Sequence, residues 1–191
     1  RISDIFDLQD RIAGRLRTSL FPDVAPSHVA RAETEVVAAF EALSKGLLNQ
    51  RLETYEGLER AVIFFERAIA LDPGYVRAHV ELGASYASKA DYLAMPELHQ
   101  RAIAQFRRAI DLDPKFVRAF RDLGLTLVAA GAIDEGIEVV RKALALSPDD
   151  PAPLSAMGRA LFIGKGDFEA ALPYFDRALA LNPRAGWYWL Q

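Results

Sequence analysis

Four prolines close four look-alike segments, and that recurrence limits the fold more than any other feature of the chain. The segments read Ala68-Ile-Ala-Leu-Asp-Pro73, Ala109-Ile-Asp-Leu-Asp-Pro114, Ala143-Leu-Ala-Leu-Ser-Pro148 and Ala178-Leu-Ala-Leu-Asn-Pro183. Successive prolines stand 41, 34 and 35 residues apart. A near-constant period in this range marks a stacked array, in which one supersecondary unit repeats and each copy buries its apolar side against the next. Proline breaks a helix interior, so each of these four marks a helix that has just ended.

Other positions keep step with the prolines. Five residues before each stands Ala68, Ala109, Ala143 or Ala178; eight before, Phe65, Phe106, Val140 or Phe175; twelve before, Ala61, Ala102, Gly136 or Ala171. Small residues let helix axes approach, and the large residue between them fills the gap. Ten residues after the first three prolines stands Gly83, Gly124 or Gly158. A mid-helix glycine costs about 1 kcal/mol against alanine. Its recurrence points to close helix contact rather than to a turn.

Taken together, Leu82-Gly83, Tyr86, Ala102, Phe106, Ala109 and Pro114 resemble the tetratricopeptide repeat, a helix–turn–helix unit of about 34 residues. Leu123-Gly124, Leu127, Gly136, Val140, Ala143 and Pro148 form a second match, and Met157-Gly158, Leu161, Ala171, Phe175, Ala178 and Pro183 a third. The resemblance implies an all-α fold, a right-handed α-solenoid of antiparallel helix hairpins. The expected organisation is an N-terminal helix and linker over 1–26 and an array over 27–191. The array divides into a degenerate hairpin (27–73), an elongated unit (74–114), two regular units (115–148 and 149–183) and the start of a further helix (184–191).

The elongated unit carries seven extra residues around Tyr92 to His99. Seven residues are about two helical turns, so each helix of that hairpin is expected to gain roughly one, with the break at Met95-Pro96. In the degenerate hairpin, Phe40, Leu43 and Leu47 supply the apolar stripe of a first helix over 32–50 without a Leu-Gly pair. Upstream, Ile5, Leu8, Ile12 and Leu16 recur at helical spacing, with acids early and arginines late, as the helix dipole favours. At the other end, Trp187, Tyr188 and Trp189 fall where a fifth unit begins; together with the Ile5/Leu8/Ile12 stripe they are the candidate surfaces for homodimer contact.

The segments Asp4-Ile-Phe-Asp-Leu-Gln-Asp-Arg-Ile-Ala13 and Leu48-Asn-Gln-Arg-Leu-Glu-Thr-Tyr-Glu-Gly-Leu-Glu-Arg-Ala61 resemble bacterial adenylate/guanylate cyclases, winged-helix regulators and Ser/Thr kinases that carry a C-terminal region of this repeat. That resemblance covers about the first third of the chain. It implies a larger bacterial signalling protein with its output domain upstream, and the first residue, Arg1, fits a piece of a longer chain.

Chemistry is sparse. There is no cysteine, which removes disulfides, thiolate catalysis and cysteine zinc sites. A chain without cysteine suits a reducing cytoplasm, the expected compartment, and is equally compatible with a periplasm. His28, His79 and His99 have no zinc-helix spacing, and His79 stands where the repeat usually places a packing aromatic. Gly164-Lys165-Gly166-Asp167 lacks the glycine spacing and the Ser/Thr of a phosphate loop and reads as an interhelical turn. A net charge of −3 gives no electrostatic reason for nucleic acid, and no apolar run reaches membrane-spanning length. No catalytic residue, cofactor or metal is expected.

A stacked array offers a concave face lined by the first helix of each unit. The family register puts Arg77, Val80, Ala84 and Ala87 there, then Arg118, Arg121, Leu125 and Val128, then Ala152, Ser155, Arg159 and Phe162. Two readings of the four arginines stand side by side. In one, they form a basic stripe that grips acidic side chains or a peptide carboxylate through bidentate contacts. In the other, they pair with Glu81 and Asp122 on neighbouring turns. Glu81 and Asp122 also replace the Asn and Arg of the clamp with which chaperone-binding relatives hold a terminal carboxylate, so that specialisation is not expected.

Overall fold

The computed structural model describes residues 33–52 and 54–183. The chain divides into two compact units, 1–33 and 34–191, and apart from Glu33 the description concerns the second. The N-terminal helix expected near Ile5, Leu8 and Ile12, and the aromatic end at Trp187, Tyr188 and Trp189, lie outside the described residues.

Eight α-helices and no strand occur among the described residues. They are α1 (Val37–Gln50), α2 (Tyr55–Leu71), α3 (Val76–Leu93), α4 (Glu97–Leu112), α5 (Val117–Ala129), α6 (Ile133–Leu146), α7 (Pro151–Arg159) and α8 (Phe168–Leu181). They pair as four antiparallel hairpins, α1/α2, α3/α4, α5/α6 and α7/α8, and consecutive hairpins stack. The fold is an all-α solenoid.

The proline register acts as read. Every second helix ends one residue before its Asp-Pro, Ser-Pro or Asn-Pro pair, and the capping N–H of Asp72, Asp113, Ser147 or Asn182 donates to the carbonyl of Ala68, Ala109, Ala143 or Ala178. The Asp72 and Asp113 side chains then accept the N–H two residues on, turning the chain into the next helix. The large residue eight before the proline fills the hairpin centre: Phe65, Phe106 and Val140 are fully buried.

The recurring glycines sit against these side chains. A Cβ on Gly83 would lie 2.7 Å from the Phe106 ring, on Gly124 2.4 Å from Val140, and on Gly158 2.7 Å from Phe175. The degenerate hairpin has the same device at Gly46, where a Cβ would lie 2.3 Å from Phe65. Its first helix begins at Val37, later than expected, and packs through Ala39, Ala42, Leu43 and Gly46, whereas Phe40 is exposed.

The seven extra residues are shared unevenly. α3 has 18 residues against 13 in α5, and α4 has 16 against 14 in α6, which accounts for all seven. The first helix takes more than a turn and the second half a turn. The break falls at Ala94 to Pro96, with Ala94 in the left-handed conformation at φ 52°. In the last hairpin the extra residue of the 35-residue spacing lies in a π turn, Ala160–Gly164. Gly166 follows at φ 67°, and the Asp167 carboxylate caps α8 by accepting the Ala170 N–H at 2.9 Å. The Gly-Lys-Gly-Asp segment is an interhelical turn.

Candidate functional site

The first helices α3, α5 and α7 bring six of the expected positions to one groove. Ala84 and Ala87 come from α3, Arg118, Arg121 and Leu125 from α5, and Arg159 from α7. The groove holds about 350 Å³ and is completed by Ser88, Asp91, His99, Asp122, Thr126 and Ala129. Small side chains at 84, 87 and 129 make its floor shallow and open. Arg118 and Arg121 form the ridge between it and a second hollow of about 310 Å³, lined by Asp113, Lys115, Phe116, Asp150 and Ala152.

The remaining positions do not join them. Val80 is fully buried and Val128 nearly so; both point into the stack and present no surface to a partner. Ser155 is buried with its hydroxyl unpartnered. Phe162 stands edge-to-face with Phe168, ring centroids 6.1 Å apart, and not in the groove lining. Arg77 lies beside Glu81, Nε to Oε1 3.7 Å.

Electrostatics separate the four arginines. Arg118 donates from Nη1 and Nη2 to the two Glu81 oxygens, at 2.5 and 3.0 Å, and from Nε to Asp122 at 3.2 Å. Burial opposes the Arg118 charge, but the Glu81 and Asp122 carboxylates outweigh it and push its pKa up. Arg121 donates from Nε to the other Asp122 oxygen at 2.7 Å. Three of the four arginines thus sit in an ion network that ties α3 to α5. The carboxylate at its centre, Glu81, is only 3% exposed. Arg159 differs: it is exposed, and no ion pair engages it among the described residues.

Among the groove residues that the sequence reading did not place there are His99 and Asp91. His99, buried, faces Asp91 across 3.1 Å between Nε2 and Oδ1, and its Nδ1 has no hydrogen-bond partner. Asp91 stands on the extra turn of α3, so the insertion was the available signal. His79 is a packing residue, buried between Gln105 at 2.8 Å and the Pro73 carbonyl at 3.1 Å. On the same hairpin Tyr86 donates to Glu66 at 2.7 Å and stacks under Arg101; burial and that carboxylate push its pKa up to about 12.

Among the described residues no group of three or more His, Asp and Glu could hold a metal ion, and no helix is long and apolar enough to cross a membrane.

A stack of helical hairpins with shallow, open hollows along its first helices is an interaction scaffold of the α-solenoid class. The sequence profile of the tetratricopeptide repeat matches residues 97–151 and 159–190. Over those residues the chain carries tetratricopeptide repeats. Among solved structures it is similar to a MamA protein, with 23% identity, a TM-score of 0.58 and coverage of 78% of this chain and 81% of that one. It is similar to a MamA from Desulfovibrio magneticus RS-1, with 22% identity, a TM-score of 0.58 and 76% of each chain covered. It also resembles an O-GlcNAc transferase from Thermobaculum terrenum, with 28% identity and a TM-score of 0.57; the likeness spans 67% of this chain but 23% of that one. At this identity the MamA likeness concerns the fold. No curated protein sequence matches the chain.

Proposed function

We propose that this chain is a non-catalytic scaffold that holds a protein or peptide segment in the groove of α3, α5 and α7, within a larger bacterial signalling or regulatory protein of the cytoplasm. The observation that carries the reading is Arg159, an exposed cation facing a groove floored by Ala84, Ala87 and Leu125. Such a surface suits an extended segment that lays small or apolar side chains on the floor and one acidic side chain on the guanidinium. Arg118 and Arg121 already satisfy Glu81 and Asp122, which supports Arg159 as the arginine that meets the partner.

Selection of a random displayed-peptide library on the protein tests the reading. Recovered peptides are expected to carry Asp or Glu, and to lose at least tenfold in affinity for Arg159→Glu and for Leu125→Asp. Peptides indifferent to both substitutions, or no recovered peptide at all, would reject the groove.

A further inference from the structure

Two departures from the repeat meet at one point of the groove. Eight places after the recurring glycine the first helix has already ended in three units, at Thr54, Ala132 and Gly166. Only the elongated α3 continues that far, and there it carries Asp91. Fifteen places before the closing proline stand Leu58, Ile133 and Phe168, but in the elongated unit His99. The two exceptions face each other: His99 Nε2 lies 3.1 Å from Asp91 Oδ1, and both residues line the groove. A carboxylate only accepts, so Nε2 carries the proton and donates it, and the unpartnered Nδ1 keeps the lone pair.

Stability does not explain the exchange. A buried imidazole with one nitrogen unpartnered fills its place less well than the leucine, isoleucine or phenylalanine of the other units. It gains one bond to a carboxylate whose side chain is 70% exposed, where water competes. A local rule broken without a gain in stability points to function. What the bond does is fix the Asp91 carboxylate. One oxygen is held by a side chain that is itself 7% exposed, and no lysine or arginine pairs with Asp91 among the described residues. An uncompensated anion held in place at the groove wall is preorganised for a cation.

Charge therefore changes sign along the groove. Asp91 stands eight places after Gly83 and Arg159 one place after Gly158. Seven residues of helix, about 10 Å of rise, and two hairpins separate them. Arg118 and Arg121 lie farther back, six and three places before Gly124, with their charges matched by Glu81 and Asp122. Ala84, Ala87 and Ala129 leave the space between Asp91 and Arg159 open.

Resting on the groove reading above, we infer that Asp91, positioned by His99, is a second charged contact for the bound segment and takes a lysine or arginine side chain. The partner is then an extended segment that carries a base over the end of α3 and an acid toward α7. His99 is a positioning residue, acting through Asp91.

The test selects a random displayed-peptide library on the parent chain and on Asp91→Lys, then titrates synthetic copies of the recovered peptides by fluorescence anisotropy. Peptides from the parent are expected to carry Lys or Arg as well as Asp or Glu, and those from Asp91→Lys to lack the base. Asp91→Asn is expected to weaken the parent's peptides about fivefold. His99→Leu, which restores the residue type of the other units, is expected to weaken them about threefold without lowering the melting temperature. His99→Gln keeps an amide N–H near the place of Nε2 and is expected to recover most of that loss. A merely structural histidine would leave affinity unmoved in the stable His99→Leu chain, and that result overturns the positioning role. Peptides weakened by Arg159→Glu and Leu125→Asp but indifferent to Asp91→Asn and Asp91→Lys overturn the inference and leave the groove reading standing. Peptides that depend on Asp91 but not on Arg159 or Leu125 uphold it and overturn the groove reading. No recovered peptide overturns both.

Discussion

Replacing Arg118 with alanine is the sharpest probe of what joins the second hairpin to the third. Glu81 is 3% exposed and takes both of its short hydrogen bonds from Arg118, at 2.5 and 3.0 Å. The other cation near it, Arg77, stands at 3.7 Å, beyond hydrogen-bond reach. Arg118→Ala strands a buried carboxylate. Breaking a buried ion pair from one side costs about 3–5 kcal/mol. The Arg118 side chain is itself 37% exposed, so water can enter the space it leaves and screen part of the loss. About 2–3 kcal/mol is the expected net cost. For a chain of this length that lowers the melting temperature by about 5–10 °C. The double change Arg118→Ala/Glu81→Gln removes the stranded charge and is expected to lose only about 1 kcal/mol. Thermal melts of the four members of this double-mutant cycle give the coupling directly. Because a repeat array can open unit by unit, amide exchange in α3 and α5 should accelerate first. A single mutant that melts within about 2 °C of the parent, or a double mutant that is no better than Arg118→Ala, refutes the reasoning. The same geometry makes Arg118 and Arg121 poor probes of partner binding, since their removal disturbs the stack; Arg159 is the cleaner one.

Gly83→Ala and Gly46→Ala push a methyl group against the Phe106 and Phe65 rings, to 2.7 and 2.3 Å. Overpacking costs about 1–3 kcal/mol and the gain in helix propensity returns about 1, so both should destabilise, Gly46→Ala more, as read by urea denaturation. A neutral or stabilised Gly46→Ala would show that the first hairpin is looser than described. Tyr86, with its pKa pushed up to about 12 from 10.0, stays neutral when folded at pH values where the unfolded chain ionises. The folded state then binds more protons, so stability should fall as pH rises from about 10 to about 12. Tyr86→Phe should flatten that part of the pH profile, and an unchanged slope would count against burial and the Glu66 bond holding the Tyr86 proton.

Much of the fold was legible because repetition reports the same packing constraint several times. Phe65, Phe106 and Val140 were readable as hairpin centres from their spacing to proline, and they are buried there. Gly46 was missed because Lys45, not leucine, precedes it. Leu82 is buried at that position in the next hairpin, but Lys45 is exposed, so selection for an apolar residue is absent while the need for space against Phe65 remains. The length of the insertion was legible and its division between α3 and α4 was not, because periodicity along one helix does not fix where its neighbour turns.

The sequence by itself determined where each second helix ends and which residues meet at a hairpin's centre, since these follow from local turn chemistry and a fixed helical period. It also placed Arg77, Arg118, Arg121 and Arg159 on the first helices. Only the tertiary structure decided what those arginines do. The distance from Arg118 to Glu81 spans two hairpins and depends on how closely they stack, which no spacing within one helix encodes. That stacking brings Arg118 onto the buried Glu81, while Arg77 and Arg121 meet Glu81 and Asp122 within their own helices and Arg159 faces the groove. Phe162 stands outside the groove lining, edge-on to Phe168.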